Sequence, residues 1–228
     1  MTGRLISAVE IAPNTKHFEF EAGDWDARFT PGQFLSVTAT FGGAAITRAY
    51  SIASPPDGGT FAFCSNLVPD GRMSPHLFGL PIGGKISFVG PYGTFVLRPD
   101  PLHAIFVATG TGIAPFRSML LRHLAERPTQ QFTLVFGVRS EEGLLYHDEF
   151  LRLANEFKNF RYLPTLTRGG DAWQGLRGRV QPHVIEVVGD RRDMDVYICG
   201  MREMVDELRA QLKAIGLDRK RMIYEKYD

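Results

Sequence analysis

The chain of 228 residues is poor in cysteine, holding only Cys64 and Cys199, far apart in the sequence. Two thiols cannot hold an iron–sulfur cluster, which takes about four such ligands. Both lie in apolar, strand-like surroundings, so no structural disulfide is expected and a reducing cytoplasm is. Net charge is also scarce, at +1, and no global field points to nucleic acid or to an anionic membrane. No run approaches the roughly 18 apolar residues of a membrane span. The opening MTGRLISAVEIAPNT lacks the apolar stretch of a signal peptide. Internal repeats and low-complexity segments are missing. What is present is the composition of an ordinary globular protein, 44% hydrophobic, enough for one large core or two small ones. Redox chemistry in such a chain would use an organic cofactor, and no metal is expected.

Residues 1–98 read as β structure. Short apolar and aromatic runs alternate with turn signals: His17-Phe18-Glu19-Phe20, Gln33–Val37, Phe61–Cys64, Lys85–Val89 and Thr94–Leu97, separated by Pro31-Gly32, Gly42-Gly43, Asp57–Gly59 and Gly83-Gly84. That spacing predicts an antiparallel barrel or sandwich. A short helix is expected around Ser74–Leu80. Arg98-Pro99-Asp100-Pro101 marks a boundary, because two prolines cannot continue a strand ladder. From residue 102 to 228 the period changes. His103–Ala108, Phe132–Phe136, Phe160–Leu166 and Asp195–Cys199 are continuous apolar strands, and helical spacing follows each of them. A last strand is expected over Arg221–Lys226. Strand–helix alternation of this kind builds a parallel sheet with helices on both faces.

Two segments carry chemistry. Arg48-Ala49-Tyr50-Ser51 offers a guanidinium for a pyrophosphate, a ring for a flat heterocycle and a hydroxyl for a ring nitrogen. On a strand, Arg48 and Tyr50 face one way and Ser51 the other. Taken alone, these residues read at least as well as a surface arginine, a half-buried tyrosine and a strand-end serine. Gly71-Arg72-Met73-Ser74-Pro75 reads as a turn into a helix, with Ser74 as N-cap and Pro75 at the first helical position. Free amides there would receive phosphate. The second segment, Gly110-Thr111-Gly112-Ile113-Ala114-Pro115, is a glycine turn after a buried strand. It departs from G-x-G-x-x-G because position 115 is proline.

The block RAYSIASPP, FCSNLVPDGRMSPHL and GPYGTFVL resembles the flavin domain of the ferredoxin–NADP(+) reductase family, most nearly its compact bacterial ferredoxin/flavodoxin reductases. The G-T-G-x-x-P turn is also found in that family. The resemblance spans nearly the whole chain. It implies an antiparallel Greek-key β-barrel holding FAD over residues 1–98, then an α/β Rossmann-like parallel sheet holding NADP(H) over 102–228. Arg48, Ala49, Tyr50 and Ser51 would meet the flavin pyrophosphate, ring and N5 edge. Cys64, Ser65 and Asn66 would line the flavin, and Arg72, Met73 and Ser74 the pyrophosphate. Thr111 would approach the flavin, and Tyr227 would cover its ring. Ser51, Cys199 and Glu225 would serve at the point of transfer, as a hydrogen-bond donor to N5, a ring-positioning group and a handler of charge or protons.

Arg139, Arg168 with Thr167 before it, and Arg179 match places where similar reductases hold the ribose 2′-phosphate. That joint match favours NADPH over NADH, although Glu141 and Glu142 are nearby. The implied activity passes electrons between NADPH and a one-electron carrier, ferredoxin or flavodoxin, from a cytoplasmic monomer. Two other readings stay open: an NAD(P)H-dependent reductase for an oxygenase, free flavin or ferric iron, and a non-catalytic flavin-binding or electron-transfer subunit. Close relatives carry a further terminal aromatic where this chain ends in Asp228, which leaves the covering of the FAD adenine open.

Overall fold

A computed structural model describes every residue except Asp24, Asp57, Asp100, Pro101 and Asp228. The second half of the expected Arg98–Pro101 boundary and the terminal Asp228 therefore lie outside the described residues. The chain forms two compact units. The first holds Met1–Leu97 together with Ala114–Arg122, and the second holds Arg98–Ile113 and the chain from His123 onward.

The first unit is built on an antiparallel six-stranded sheet with the order β4-β3-β6-β1-β2-β5. Its strands are β1 (Thr2–Ala12), β2 (Thr15–Glu21), β3 (Phe34–Phe41), β4 (Ala44–Ser51), β5 (Thr60–Asn66) and β6 (Lys85–Tyr92). The chain leaving β4 meets β5, where the Ala53 amide donates to the Ala62 carbonyl at 2.7 Å. The sheet curls around an aromatic core. Phe20 stacks on Phe61 and Phe63 with ring centres 5.4 and 5.3 Å apart, and Phe61 meets Phe88 at 4.8 Å. These rings meet because period-two alternation sends Phe18 and Phe20 inward with their register partners Phe63 and Phe61.

Helix α1 (Met73–Phe78) follows β5. It begins two residues earlier than the capping motif suggests, with Arg72 as N-cap and no side-chain cap. Ser74 lies inside the first turn. Its hydroxyl accepts from the Val68 amide at 2.9 Å and faces the Val68 carbonyl at 3.4 Å. The preceding loop has claimed the hydroxyl that the capping motif would have used.

The second unit is a six-stranded, all-parallel sheet with the order β10-β9-β8-β7-β11-β12. Its elements are β7 (His103–Thr109), α2 (Ala114–Glu126), β8 (Gln131–Val138), α3 (His147–Glu156), β9 (Phe160–Leu166), β10 (Leu176–Arg177), α4 (Val180–Val188), β11 (Asp195–Met201), α5 (Arg202–Ala214) and β12 (Met222–Tyr227). One sheet face packs α4 and α5 through an aliphatic cluster that includes Val107, Val135, Ile198, Val184, Leu208 and Leu212. The other face is aromatic and receives α3, where Phe150 meets Phe160 and Tyr162. Residues of α2 up to Arg122 group with the first unit. There Arg117 donates to the Ala53 carbonyl at 2.8 Å and Ser118 to the Ser54 carbonyl at 2.6 Å. A boundary drawn over Arg98–Pro101 divides the chain by order, but Ala114–Arg122 group with the segments that precede it.

Candidate functional site

The predicted flavin residues gather on β4, β5 and α1. Tyr50 stacks on Phe63 with ring centres 4.5 Å apart and planes 22° apart. Burial pushes the Tyr50 hydroxyl above the usual phenol range, and its hydrogen bond with Ser65 works against that rise. Tyr50 therefore stays a neutral donor, fixed at the end of the aromatic core. Arg48 is exposed and donates once, to the Thr47 carbonyl at 2.9 Å. Ala49 is exposed beside it. Ser51 is buried, 7% exposed, on the strand face opposite Tyr50, as the strand period requires.

Cys64 and Ser65 are buried at the end of β5, and Asn66 accepts from the Thr15 hydroxyl at 2.7 Å. Met73 is 4% exposed and belongs to the barrel core. The Ser74 hydroxyl, also buried, meets the Val68 backbone. Arg72, at the helix start, is exposed. An FAD is a flat heterocycle joined through a pyrophosphate to an adenosine, and this set fits it. A locked aromatic ring stands beside a guanidinium that spends one of its five donors on the protein.

One barrel residue escaped sequence reasoning. His17 on β2 is the register partner of Cys64. Burial, reinforced by the Arg117 charge, lowers its pKa to about 4, so it stands neutral at physiological pH. An alternating strand pattern gives no sign of that.

In the second unit the strand order reverses between β7 and β11. Ligands of open α/β sheets bind at the carboxyl ends of strands flanking such a reversal. The Gly110–Ile113 turn leaves β7 at this point. A Cβ on Gly112 would collide with the Cys199 carbonyl, and one on Gly200 with the Thr109 hydroxyl. Glycine at both places lets the two strand ends close on each other. A Cβ on Gly110, by contrast, would meet nothing within 4 Å, so the space over the turn is open. Thr111 is half-buried on that turn. The buried Thr109 hydroxyl oxygen has no hydrogen-bond partner among the described residues.

Cys199 is fully buried and pairs in register with Glu225, and Met201 with Tyr227. Alternation therefore sets Cys199, Glu225 and Tyr227 on one sheet face. The intervening Tyr224 and Lys226 face α5. Arg209 lies 3.7 Å from the Tyr224 ring centre, and Lys226 pairs with Asp206 at 2.7 Å. The terminal strand is anchored through the face that carries Tyr224 and Lys226.

The three arginines lie at or beyond the carboxyl ends of β8, β9 and β10. The Arg168 amide donates to the Arg139 carbonyl at 2.7 Å, and the Thr167 amide to the Val138 carbonyl at 3.1 Å. Arg139, Thr167 and Arg168 are exposed. Neither the Arg139 nor the Arg168 side chain has an ion pair or hydrogen bond among the described residues. Arg179, the N-cap of α4, pairs with Glu207 at 3.5 Å. A glycine cradle with adjacent cations at the sheet's carboxyl edge fits a nicotinamide nucleotide.

Comparison with known proteins agrees with both halves. Residues 2–97 match the oxidoreductase FAD-binding domain, and residues 106–210 the oxidoreductase NAD-binding domain. Ferredoxin–NADP reductase B of Sorangium cellulosum is 37% identical over 99% of this chain and 96% of its own length. The chain belongs to the ferredoxin–NADP(+) reductase family. Within that family it also resembles the 2-halobenzoate 1,2-dioxygenase electron transfer component of Burkholderia cepacia, 33% identical over 100% of this chain and 67% of that protein. Among solved structures, an Amycolatopsis cytochrome P450 reductase superposes with a TM-score of 0.90 at 27% identity, covering 99% of this chain and 68% of that one. The protein is therefore an electron-transfer oxidoreductase of the ferredoxin–NADP(+) reductase family, with one domain for FAD and one for a nicotinamide nucleotide.

Proposed function

We propose that the protein is an NADPH-dependent reductase that delivers electrons singly to a separate carrier protein, ferredoxin or flavodoxin. The observation that carries this reading is the pairing of Arg139 and Arg168 by one backbone hydrogen bond, with both guanidinium groups exposed and uncommitted. A ribose 2′-phosphate carries about two negative charges and is held by such donors. The nearly full-length match to a protein named ferredoxin–NADP reductase supports it.

FAD, when bound, supplies the conversion of a two-electron hydride donor into single-electron transfers. The chain's part is to bind and orient. Arg48 and the amides at the start of α1 would hold the pyrophosphate, and Tyr50 would pack on the flavin. Ser51 would hydrogen-bond the flavin, and Cys64, Ser65 and Asn66 would line it. Gly110–Gly112 and Cys199 would seat the nicotinamide, Glu225 would hold charge or a proton, and Tyr227 would be the aromatic cover that the family resemblance implies. Arg139, Thr167, Arg168 and Arg179 receive the 2′-phosphate.

A second reading, an NADH-dependent reductase serving an oxygenase, is favoured by the similarity to the dioxygenase electron transfer component and by the commitment of Arg179 to Glu207. Anaerobic turnover of the purified FAD-loaded protein with each nucleotide, against ferredoxin, flavodoxin and an oxygenase component, separates the two. NADPH-driven reduction of ferredoxin or flavodoxin is expected. An NADH preference with delivery to the oxygenase component alone would establish the second reading.

A further inference from the structure

We infer that Arg177 is a positioning residue that sets the nucleotide preference of this protein by holding Arg168 in place; this rests on the 2′-phosphate reading above. Arg168 opens a loop that runs from the end of β9 to the two-residue strand β10, Leu176–Arg177. The loop has no helix and little strand of its own. It is nevertheless tied shut by one side chain. The Arg177 guanidinium donates to the carbonyls of Gly169 at 2.8 Å, Gly170 at 2.8 Å and Trp173 at 3.0 Å. Gly169 is the residue next to Arg168. A planar fork reaching three carbonyls of one loop fixes that loop's path as no point charge can.

Arg177 is itself well seated. Its backbone pairs with Leu166 on β9, its carbonyl meets His183 Nε2 at 2.9 Å, and the Trp173 indole donates to the neighbouring Leu176 carbonyl at 2.8 Å. The far lip of the loop is sewn to β9 by the Thr165 hydroxyl on the Gly178 carbonyl at 2.9 Å. The near lip is sewn to β8 through the Arg168 amide on Arg139. Arg177 turns its hydrogen bonds inward to the loop, whereas Arg168, nine positions earlier, has a guanidinium with no partner among the described residues. The division of labour follows. Arg168 is offered to a ligand, and Arg177 removes the freedom that Arg168 would otherwise lose on binding.

The test compares steady-state kinetics of the FAD-loaded wild-type protein with Arg177→Met, Arg168→Ala and the double variant, using NADPH and NADH. Methionine keeps the apolar stem and removes the donors. The expected result for Arg177→Met is a KM for NADPH raised roughly tenfold, with kcat and the NADH constants within about twofold of wild type. The double variant is expected to lose little beyond Arg168→Ala, because both act through one contact. A purely structural role would lower turnover with both nucleotides in parallel, and that outcome, or additive losses in the double variant, would overturn the inference. Should Arg177→Met fail to fold, Arg177→Lys carries the same test, with a partial loss of NADPH preference expected and an unchanged preference overturning it. If Arg168→Ala leaves the NADPH-to-NADH ratio untouched, the 2′-phosphate reading itself fails. If only Arg177→Met leaves it untouched, the fault lies with Arg177 alone.

Discussion

The two units line their sites with different materials. In the barrel, the core runs as one continuous stack to the candidate site: Phe20 meets Phe63 at 5.3 Å, and Phe63 meets Tyr50 at 4.5 Å. In the parallel sheet, the cluster under α4 and α5 is aliphatic, and the site lies beyond it, in turns and loops past the strand ends. The first arrangement transmits any change in packing to the ligand face. The second lets loops be tuned while the sheet stays intact, because the cradle rests on backbone approach at Gly112 and Gly200 and the cations rest on a loop held by hydrogen bonds. Rigid stacking suits a cofactor that stays bound, and adjustable loops suit a nucleotide that comes and goes.

The largest expected effect breaks the barrel's continuity. Phe63→Ala is expected to cost about 3–5 kcal/mol of stability and to weaken FAD retention together with it, read by denaturant unfolding and by flavin release on gel filtration. Stability lost without any loss of flavin would separate core from site and remove the contrast.

The next effect is set by pH. His17 has a native pKa of about 4 against an ordinary 6.5. Between those values the unfolded chain binds a proton that the native barrel does not. Stability is therefore full above about pH 6.5 and falls as the pH drops towards 4, by about 3 kcal/mol in all. His17→Gln is expected to flatten that part of the stability–pH curve. A curve that keeps its slope would place the acid sensitivity elsewhere.

In the sheet unit the effects are smaller and leave the fold alone. Arg168→Ala is expected to cost about 1.5–3 kcal/mol of NADPH binding, with melting temperature and NADH kinetics unchanged. Equal losses for both nucleotides would contradict the phosphate role. Smallest is Tyr227→Ser, which is expected to raise nicotinamide occupancy without altering stability, seen as a stronger charge-transfer absorbance on adding NADP(+). An unchanged band would contradict the covering role proposed for Tyr227.

The same contrast explains what could be read from the sequence. Strands with a clear period were legible: the run His103–Ala108 is β7, and Phe160–Leu166 is β9 to the residue. The facing of Tyr50 and Ser51 was legible because a strand fixes which way each side chain points. Ser74 misled, since its hydroxyl turned back to Val68, and a local capping motif cannot show a competing loop. Arg177 was missed because its three carbonyl partners lie in a loop with no periodicity. The approach of Gly112 to Cys199 was hidden for a related reason: it depends on two strands becoming neighbours although they are distant in the chain.

The account turns on one division, flavin on the barrel and NADPH selected by the sheet unit. Anaerobic stopped-flow mixing of the FAD-loaded protein with NADPH, and separately with NADH, addresses it most directly. The account predicts loss of the oxidised flavin band with NADPH, at a rate constant roughly tenfold or more above that with NADH at equal subsaturating concentration. A flavin left oxidised by NADPH, or bleached equally fast by both nucleotides, would contradict it.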